Sequence, residues 1–328
     1  MSEAPQSPRT EHDAETPVRR RLRIGDSILS GTTVLISVGL VALLAGLLWV
    51  LEQGAAPALM KYGLNFFTSR QWDPVNDRFG ALPYIYGTVV TSALAILFAL
   101  PISVGLALLL NEVRSKWLRN PLTVLVDLLA AIPSVVYGLW GLFVLAPFLN
   151  KYLAPALAAT LGRLPVLSSL FVPTPAVGNM LNAGIILAIM IIPIVSAVTR
   201  EVFLQVPRET VDAAWALGAT KWEMMRTAVL PFGRAGIISA SMLGLGRALG
   251  ETIAVALVLN SGYTINWHLT EPGGDTFAST IALKFGEAGG SPVAVAALIA
   301  AGLFLFVITL AVNTAARIII ARRKEFTS

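Results

Sequence analysis

The chain has 328 residues, of which 55% are apolar and only 13% charged, and its mean hydropathy is +0.73. A soluble domain carries roughly a quarter charged residues, so this composition predicts a membrane protein. The absence of cysteine excludes disulfides and thiolate metal sites. The two histidines, His12 and His268, lie far apart in polar segments, which leaves no imidazole cluster for zinc binding or acid–base chemistry.

Six segments are long and apolar enough to cross a bilayer, which takes about 20 mostly apolar residues. We therefore expect an all-α membrane protein with six transmembrane helices. The predicted spans are residues 28–51, 84–110, 122–149, 176–199, 235–259 and 292–316. Around them we expect a disordered N-terminal segment (1–27), a first helix with its outer loop (28–83), a core transmembrane domain (84–316) and a basic tail (317–328).

Basic residues distinguish the two faces of this arrangement. The face that holds both termini carries seventeen Lys and Arg residues, and the opposite face carries six. The positive-inside rule places the richer face in the cytoplasm, so we expect cytoplasmic N and C termini in a multi-pass protein of the bacterial cytoplasmic (inner) membrane. Since orientation explains the net charge of +5, no nucleic-acid partner is expected.

The longest loop on the basic face, residues 200–234, contains the stretch "VPRETVDAAWALGATKWEMMRTAVLP". Pro207 and Glu209 are typical of a first helical turn, and Gly218 is typical of a helix end. Thr220 and Glu223 have the spacing of a capping box. The loop is therefore predicted to form two short helices joined at Gly218.

The small residues Ala213 and Ala214 beside Trp215 form a flat patch, which favours docking to a partner over a solvated hairpin. The stretch "DAAWALGATKWEMMRTAVLP" resembles the EAA loop of type I ABC importer permeases. The residues in register with that pattern are Asp212, Ala213, Ala214, Gly218, Leu230 and Pro231, while Asp212 replaces the usual Glu and Ala228 the usual Ile. In that family the loop, Trp215 included, is the helix that couples the permease to a separate ATP-binding subunit. The chain itself has no G-x-x-x-x-G-K-[ST] phosphate loop.

The fifth predicted span contains a charged pair in the stretch "GLGRALGETIAV". Arg247 lies near the middle of that span, where one charge costs roughly 2.5–3.5 kcal/mol. Glu251 follows four positions later, which places the two on one helix face where they neutralise each other. Gly246 and Gly250 form a G-x-x-x-G pair for close helix approach. Two interpretations remain open: a pair that holds the bundle together, or a site on a substrate pathway.

If the pair is functional, its chemistry favours a proton-bearing oxyanion. The guanidinium of Arg247 can bind two oxygens of such an anion. The carboxylate of Glu251 repels an anion without protons and accepts a hydrogen bond from one that retains a proton. Near neutral pH this favours phosphate over sulfate. No catalytic residue, metal or cofactor is expected, since the chain offers no nucleophile–base pair.

Three segments, "GLGRALGETIAV", "AAIPSVVYGLWG" and "FGALPYIYGTVVTS", are similar to those of phosphate-specific ABC importer permeases of the PstC family. The resemblance implies the type I ABC importer permease fold, with Arg247 and Glu251 on the phosphate pathway. It also implies a homologous permease (PstA-like), a dimer of ATP-binding subunits (PstB-like) and an extracytoplasmic phosphate-binding protein (PstS-like). The sister PstA-type subunit, an importer for another oxyanion or small polar nutrient, and an ion-coupled secondary transporter are the alternatives.

Several other residues in the spans have two interpretations. Asp127 is expected to reach the membrane interface rather than the pathway. Pro101, Pro133 and Pro193 are expected to kink their spans. Ser134 and Tyr137 fit a pore lining and ordinary helix packing equally well.

Overall fold

The computed structural model describes residues 17–113, 115–164, 168–171, 177–259, 262, 265 and 267–324, without the side chains of residues 17–24 and 319–324. In this part of the chain six helices are long and apolar enough to cross a membrane, as predicted from the sequence. They are Gly25–Tyr62, Leu82–Glu112, Ser134–Arg163, Met180–Leu204, Lys221–Gly250 and Pro292–Ile318.

The chain divides into two compact units, residues 1–50 and 51–328. Helix α1 (Pro17–Tyr62) starts in the first unit and begins before the predicted span, so residues 17–27 are helical where we expected disorder. Residues 1–16 lie outside the described part. Every described residue from Gly25 to Leu47 is exposed, and a helix that is apolar all round is typical of a membrane span.

The second unit contains helices of very different lengths and one small hairpin. Its first part holds α2 (Asn65–Thr68), β1 (Trp72–Asp73), β2 (Arg78–Phe79), α3 (Leu82–Glu112), α4 (Lys116–Ala131), α5 (Ser134–Trp140), α6 (Ala146–Phe148) and α7 (Ala154–Thr160). Its second part holds α8 (Met180–Leu204), α9 (Arg208–Ala216), α10 (Lys221–Met224), α11 (Leu230–Gly250), α12 (Ile253–Val258), α13 (Phe277–Lys284) and α14 (Pro292–Lys324).

Helix α8 lies at the centre of the second unit, where it packs against α3, α11 and α4. Small residues let the helices approach closely. A Cβ atom built on Gly184 of α8 would lie 2.6 Å from Leu94 Cβ of α3, and one on Gly244 of α11 would lie 2.6 Å from Val195 Cγ2 of α8. The main apolar core surrounds this three-helix centre and includes Ile191 and Tyr137.

A second apolar cluster holds the hairpin against the start of α3 and the helices α13 and α14. Trp72 pairs with Phe79 across the two strands, and its ring contacts those of Phe79 and Tyr84. The turn is closed by hydrogen bonds from the Asn76 side chain and backbone to the carboxylate of Asp73, which lower the pKa of that carboxyl. The hairpin thereby anchors the segment before α3.

Two of the predicted spans are interrupted, which corrects the sequence prediction. The third span, expected over 122–149, is split at Ile132 and Pro133 between α4 and α5, and the helical run after the break continues to Arg163 through π-helical turns. The fifth span, expected over 235–259, is split at Glu251 and Thr252 between α11 and α12. By contrast, Pro101 and Pro193 lie within the continuous helices α3 and α8.

The last span also extends further than predicted. Helix α14 runs to Lys324, so residues 317–324 of the expected basic tail continue the helix. Residues 325–328 lie outside the described part.

Candidate functional site

The break between α11 and α12 changes the relation of Arg247 to Glu251. Glu251 has the extended backbone of a helix end (φ −69°, ψ 127°), so the two residues do not share a continuous helix face. Arg247 is exposed, whereas Glu251 is only 9% exposed. Among the described residues no ion pair joins them. The prediction of a self-neutralised pair on one face was therefore wrong.

Glu251 acts instead as a cap for the short helix that follows it. Its Oε1 accepts a hydrogen bond from the backbone N–H of Ala254 at 3.3 Å. The first N–H groups of a helix have no partner within the helix, and a side-chain oxygen just before the helix satisfies one of them. The carboxylate is thus held at the break by α12 rather than by Arg247.

Arg247 occupies the last turn of α11. A cation there is favoured by the negative end of the helix dipole. A Cβ atom built on its neighbour Gly246, or on Gly250, would meet no atom within 4 Å. The G-x-x-x-G pair therefore contacts no second helix in the described part of this chain. Together with exposed Leu243, these residues form an open face of α11 around the guanidinium.

The break between α4 and α5 lies against the break in the fifth span. Helix α5 packs on α12, and a Cβ atom built on Gly138 would lie only 2.9 Å from Ala254 Cα. The Tyr137 hydroxyl donates a hydrogen bond to the carbonyl of Leu129 at 2.8 Å, which bridges the Pro133 break. The fold thus brings the two quoted segments "AAIPSVVYGLWG" and "GLGRALGETIAV" together.

The sequence analysis singled out some residues near this junction and missed others. Tyr137 is a buried member of the main core, which favours the packing interpretation for that residue. Asp127 is exposed on α4. Gly138 was missed by the sequence analysis, because a glycine in an apolar run gives no sign of which helix approaches it.

The loop at 200–234 has the predicted local structure at its first helix. Helix α9 starts directly after Pro207 with Glu209 in its first turn, and Gly218 adopts a positive φ of 77° beyond its end. The capping box is present: Thr220 Oγ1 accepts from the N–H of Glu223 at 3.3 Å, and Glu223 Oε2 accepts from the N–H of Thr220 at 2.7 Å.

The second helix of this loop is longer than the short helix that was predicted, and Pro231 lies in the first turn of its membrane-spanning part. It continues from α10 through a π-helical turn (Met225–Val229) into α11, so that residues 221–250 form one helical run. At 1.5 Å per residue the run is about 45 Å long, and Arg247 lies about 39 Å from Lys221. One helix therefore connects the loop to the arginine.

The loop is fixed to the membrane helices on one side and exposed on the other. Met224 and Val229 pack with Phe203 of α8 and Ala107 of α3. Lys221 Nζ lies 3.5 Å from Glu112 Oε2 at the end of α3. The opposite side exposes Asp212, Ala213 and Trp215, and further along Leu217, which is 89% exposed, and Pro231. Ala214 and Leu230 are partly buried against the apolar cluster.

Comparison with known proteins identifies the class of this arrangement. The family model described as "Binding-protein-dependent transport system inner membrane component" matches residues 99–325. The fold agrees with that match. A bacterial ABC transporter involved in the import of the acidic polysaccharide alginate superimposes with a TM-score of 0.57, at 19% identity, over 92% of this chain and 96% of that one. The chain is a membrane component of an ABC transporter with a type I importer permease fold.

Relatives within that class are more similar still. The chain is 44% identical over 300 residues to the phosphate transport system permease protein PstC of Xylella fastidiosa, covering 91% of this chain and 90% of the relative. It is 42% identical over 322 residues to the protein of that description from Mesorhizobium japonicum, covering 98% and 97%. The chain belongs to the PstC family of inner-membrane permeases, as its quoted segments had indicated.

Proposed function

We propose that this chain is one of two membrane subunits of an ATP-driven importer, and that it passes inorganic phosphate inward by alternating access. The relatives described as phosphate transport permeases support the cargo. The excess of Lys and Arg on one face supports cytoplasmic termini and a cytoplasmic loop 200–234. The permease is non-catalytic, and its partners are a homologous permease, two ATP-binding subunits and an extracytoplasmic phosphate-binding protein.

One observation carries the proposed pathway: Arg247 is exposed at the end of the helical run that begins in the cytoplasmic loop, and no described acidic side chain pairs with it. Arg247 lies 16 residues beyond Pro231, or about 24 Å at 1.5 Å per residue, which places the charge deep in the bilayer. A charge at such a depth faces a water-filled cavity or the bundle interior. The open face of α11 meets that condition if the homologous permease lies opposite and the route for the anion runs between them.

The mechanism follows from the two ends of this helix. The exposed side of α9, with Asp212, Ala213 and Trp215, contacts the ATP-binding subunit, while Gly218, Leu230 and Pro231 shape the turn and the start of the span. ATP binding closes the two ATP-binding subunits and shifts this loop. Because residues 221–250 are one helical run, the shift moves Arg247 and the adjoining Glu251 break, and the pathway alternates between outward and inward opening.

Arg247 and Glu251 have different roles in this pathway. The guanidinium binds two oxygens of the anion. The Glu251 carboxylate, anchored by Ala254 N–H, accepts a hydrogen bond from the hydroxyl that phosphate retains near neutral pH, and it also limits how tightly the anion is held. A sulfate ion has no such hydroxyl, so the Glu251 carboxylate only repels it. An importer for another oxyanion would use the same loop with a different ranking of anions.

The test is phosphate uptake by proteoliposomes that contain the complete transporter. Arg247→Gln removes the charge but keeps hydrogen-bonding capacity, and uptake is expected to fall about a hundredfold, in line with the loss of a charged contact worth about 3 kcal/mol. Arg317→Gln is the matched control, because Arg317 is an exposed arginine at the end of α14. Near-normal uptake by Arg247→Gln, with assembly intact, would contradict the pathway, whereas uptake of another anion only would contradict the cargo.

A further inference from the structure

A cavity of about 500 Å³ lies between the end of α3, the first half of α4 and the end of α8. Its polar lining consists of Asn111, Arg119, Asn120, Thr123 and Arg200. Asn111 of its lining is adjacent to Glu112, which pairs with Lys221 at the start of the helical run 221–250, whereas Arg247 lies near the other end of that run. The proposed pathway therefore does not account for it.

Arg200 has hydrogen-bonding capacity that the described residues leave unused. Its side chain is only 22% exposed. Nη1 donates to Thr123 Oγ1 at 3.0 Å, and Nη2 lies 3.1 Å from Glu201 Oε1. The Nε atom is buried and has no hydrogen-bond partner in the part of the chain that is described. Since a guanidinium carries five donors, Arg200 is held in place with donors left for a further acceptor.

The charges around the cavity favour an oxyanion as that acceptor. Arg119 supplies a second guanidinium, and none of the described lining residues is acidic. Glu201 offsets part of the Arg200 charge, but its side chain is 61% exposed and it is not part of the lining. The amides of Asn111 and Asn120 add neutral donors. Two guanidinium groups with flanking amides are suited to the oxygens of a phosphate group.

The remaining wall of the cavity is apolar. Leu110, Val124 and Leu204 line it, and Leu128, one turn after Val124 on α4, is 62% exposed. A ligand that filled this space would place a charged group on the arginines and an apolar portion along the leucines. The volume is also that of a ligand pocket for a molecule larger than a single anion. Basic pockets between transmembrane helices are typical binding sites for lipid headgroups.

We propose that this cavity binds a phosphate group, supplied by an anionic phospholipid headgroup or by free inorganic phosphate. The bound group joins α4 to the ends of α3 and α8. Those two helix ends also contact the loop 200–234 (the coupling loop), through the Glu112–Lys221 ion pair and the packing of Phe203 against Met224. The ligand thus stabilises the ends of α3 and α8 against which the coupling loop packs.

The lipid source is tested with the assembled transporter, delipidated in detergent and supplied with phosphatidylglycerol or with phosphatidylcholine. Native mass spectrometry then counts the lipids that stay bound. Wild type and the control Arg317→Gln are expected to retain phosphatidylglycerol, and the double variant Arg119→Gln/Arg200→Gln is expected to bind it about tenfold more weakly, the effect of losing about one charged hydrogen bond. Arg119→Gln alone serves if the double variant fails to assemble, because the Arg119 side chain makes no hydrogen bond to another described residue.

The second arm measures inorganic phosphate binding by equilibrium dialysis in the Arg247→Gln background, which removes the proposed pathway contact. Loss of phosphate binding on adding Arg119→Gln/Arg200→Gln identifies free phosphate as the source. If the double variant changes neither phosphatidylglycerol retention nor phosphate binding, the proposal is overturned. Neither arm measures transport, so the outcome is independent of whether the chain carries phosphate across the membrane.

Discussion

The two ends of the helical run 221–250 differ in how their structure is determined. At the coupling end, Thr220 and Glu223 satisfy each other's backbone groups and Gly218 makes the turn, so the geometry is set within a few residues. At the other end, the helix stops at Gly250 and its continuation, α12, is positioned by contact with α5, more than a hundred residues away in the chain. A locally determined end is suited to docking as a rigid unit, and an end determined by packing is suited to rearrangement.

The largest effect that sharpens this comparison is expected at the coupling end. Trp215→Ala should weaken the binding of the ATP-binding subunit about thirtyfold, because buried interface tryptophans often contribute about 2 kcal/mol or more. Trp215 is 41% exposed in the subunit, so the thermal stability of the permease itself should change little. Pull-down of the ATP-binding subunit at varied concentration measures the first quantity, and thermal unfolding the second.

Trp117→Ala is the matched control for this substitution, since Trp117 is 92% exposed at the start of α4 and lies outside the loop. Equal ATPase binding by wild type and Trp215→Ala would show that α9 does not form the contact. Equal weakening in both tryptophan variants would show a general surface effect.

The next effect concerns the junction of the two breaks. Gly138→Ala adds a Cβ atom that would lie 2.9 Å from Ala254 Cα, a backbone atom that cannot move aside by rotation. Overpacking of this kind costs about 1–3 kcal/mol, so the variant is expected to unfold at a lower temperature and to exchange the α12 amides faster. Thermal unfolding and hydrogen exchange of the solubilised subunit measure both.

Gly246→Ala is the matched comparison, because its Cβ atom would meet nothing within 4 Å. In the isolated subunit it should leave stability unchanged or raise it by about 0.5–1 kcal/mol, as expected for Gly→Ala within a helix. If both variants behave alike in the isolated subunit, the close approach of α5 and α12 is not a determinant of stability.

The difference between features set by neighbouring residues and features set by distant packing also explains which parts of the fold the sequence could predict. The number of spans, the capping box and the Gly218 turn depend on neighbouring residues, and the described structure confirms them. The break at Pro133 had a local signal, because a residue before proline avoids helical geometry, and Ile132 is extended with ψ 130°. That rule alone was insufficient, since Pro101 and Pro193 lie within continuous helices. The break at Glu251 had only the weak helix propensity of Gly250 and Thr252 as a sign, within a continuous apolar run.

Because that break was hidden, the sequence assigned Arg247 and Glu251 to one face and to mutual neutralisation. The four-residue spacing supports that conclusion only if the helix is continuous. In the structure the peptide turns at Glu251, its carboxylate caps α12, and Arg247 is left exposed. In the pathway that we propose, an anion would therefore meet a cation and a hydrogen-bond acceptor that are not already engaged with each other.

The smallest expected effect on stability separates the two roles of Glu251. Glu251→Gln keeps an oxygen that can accept from the N–H of Ala254 at the break, so stability should change by less than about 0.5 kcal/mol, whereas Glu251→Ala removes the cap and should cost about 1 kcal/mol.

The selectivity between anions should respond to the charge of residue 251 instead. Without the carboxylate, sulfate no longer meets repulsion, and the preference for phosphate over sulfate should fall about tenfold in both variants. Direct binding of the two anions to the solubilised permease pair, without the binding protein, measures this preference. Both variants lose the negative charge, and only Glu251→Ala also loses the capping oxygen. If Glu251→Gln keeps the full preference for phosphate over sulfate while Glu251→Ala is less stable, Glu251 acts only as a helix cap.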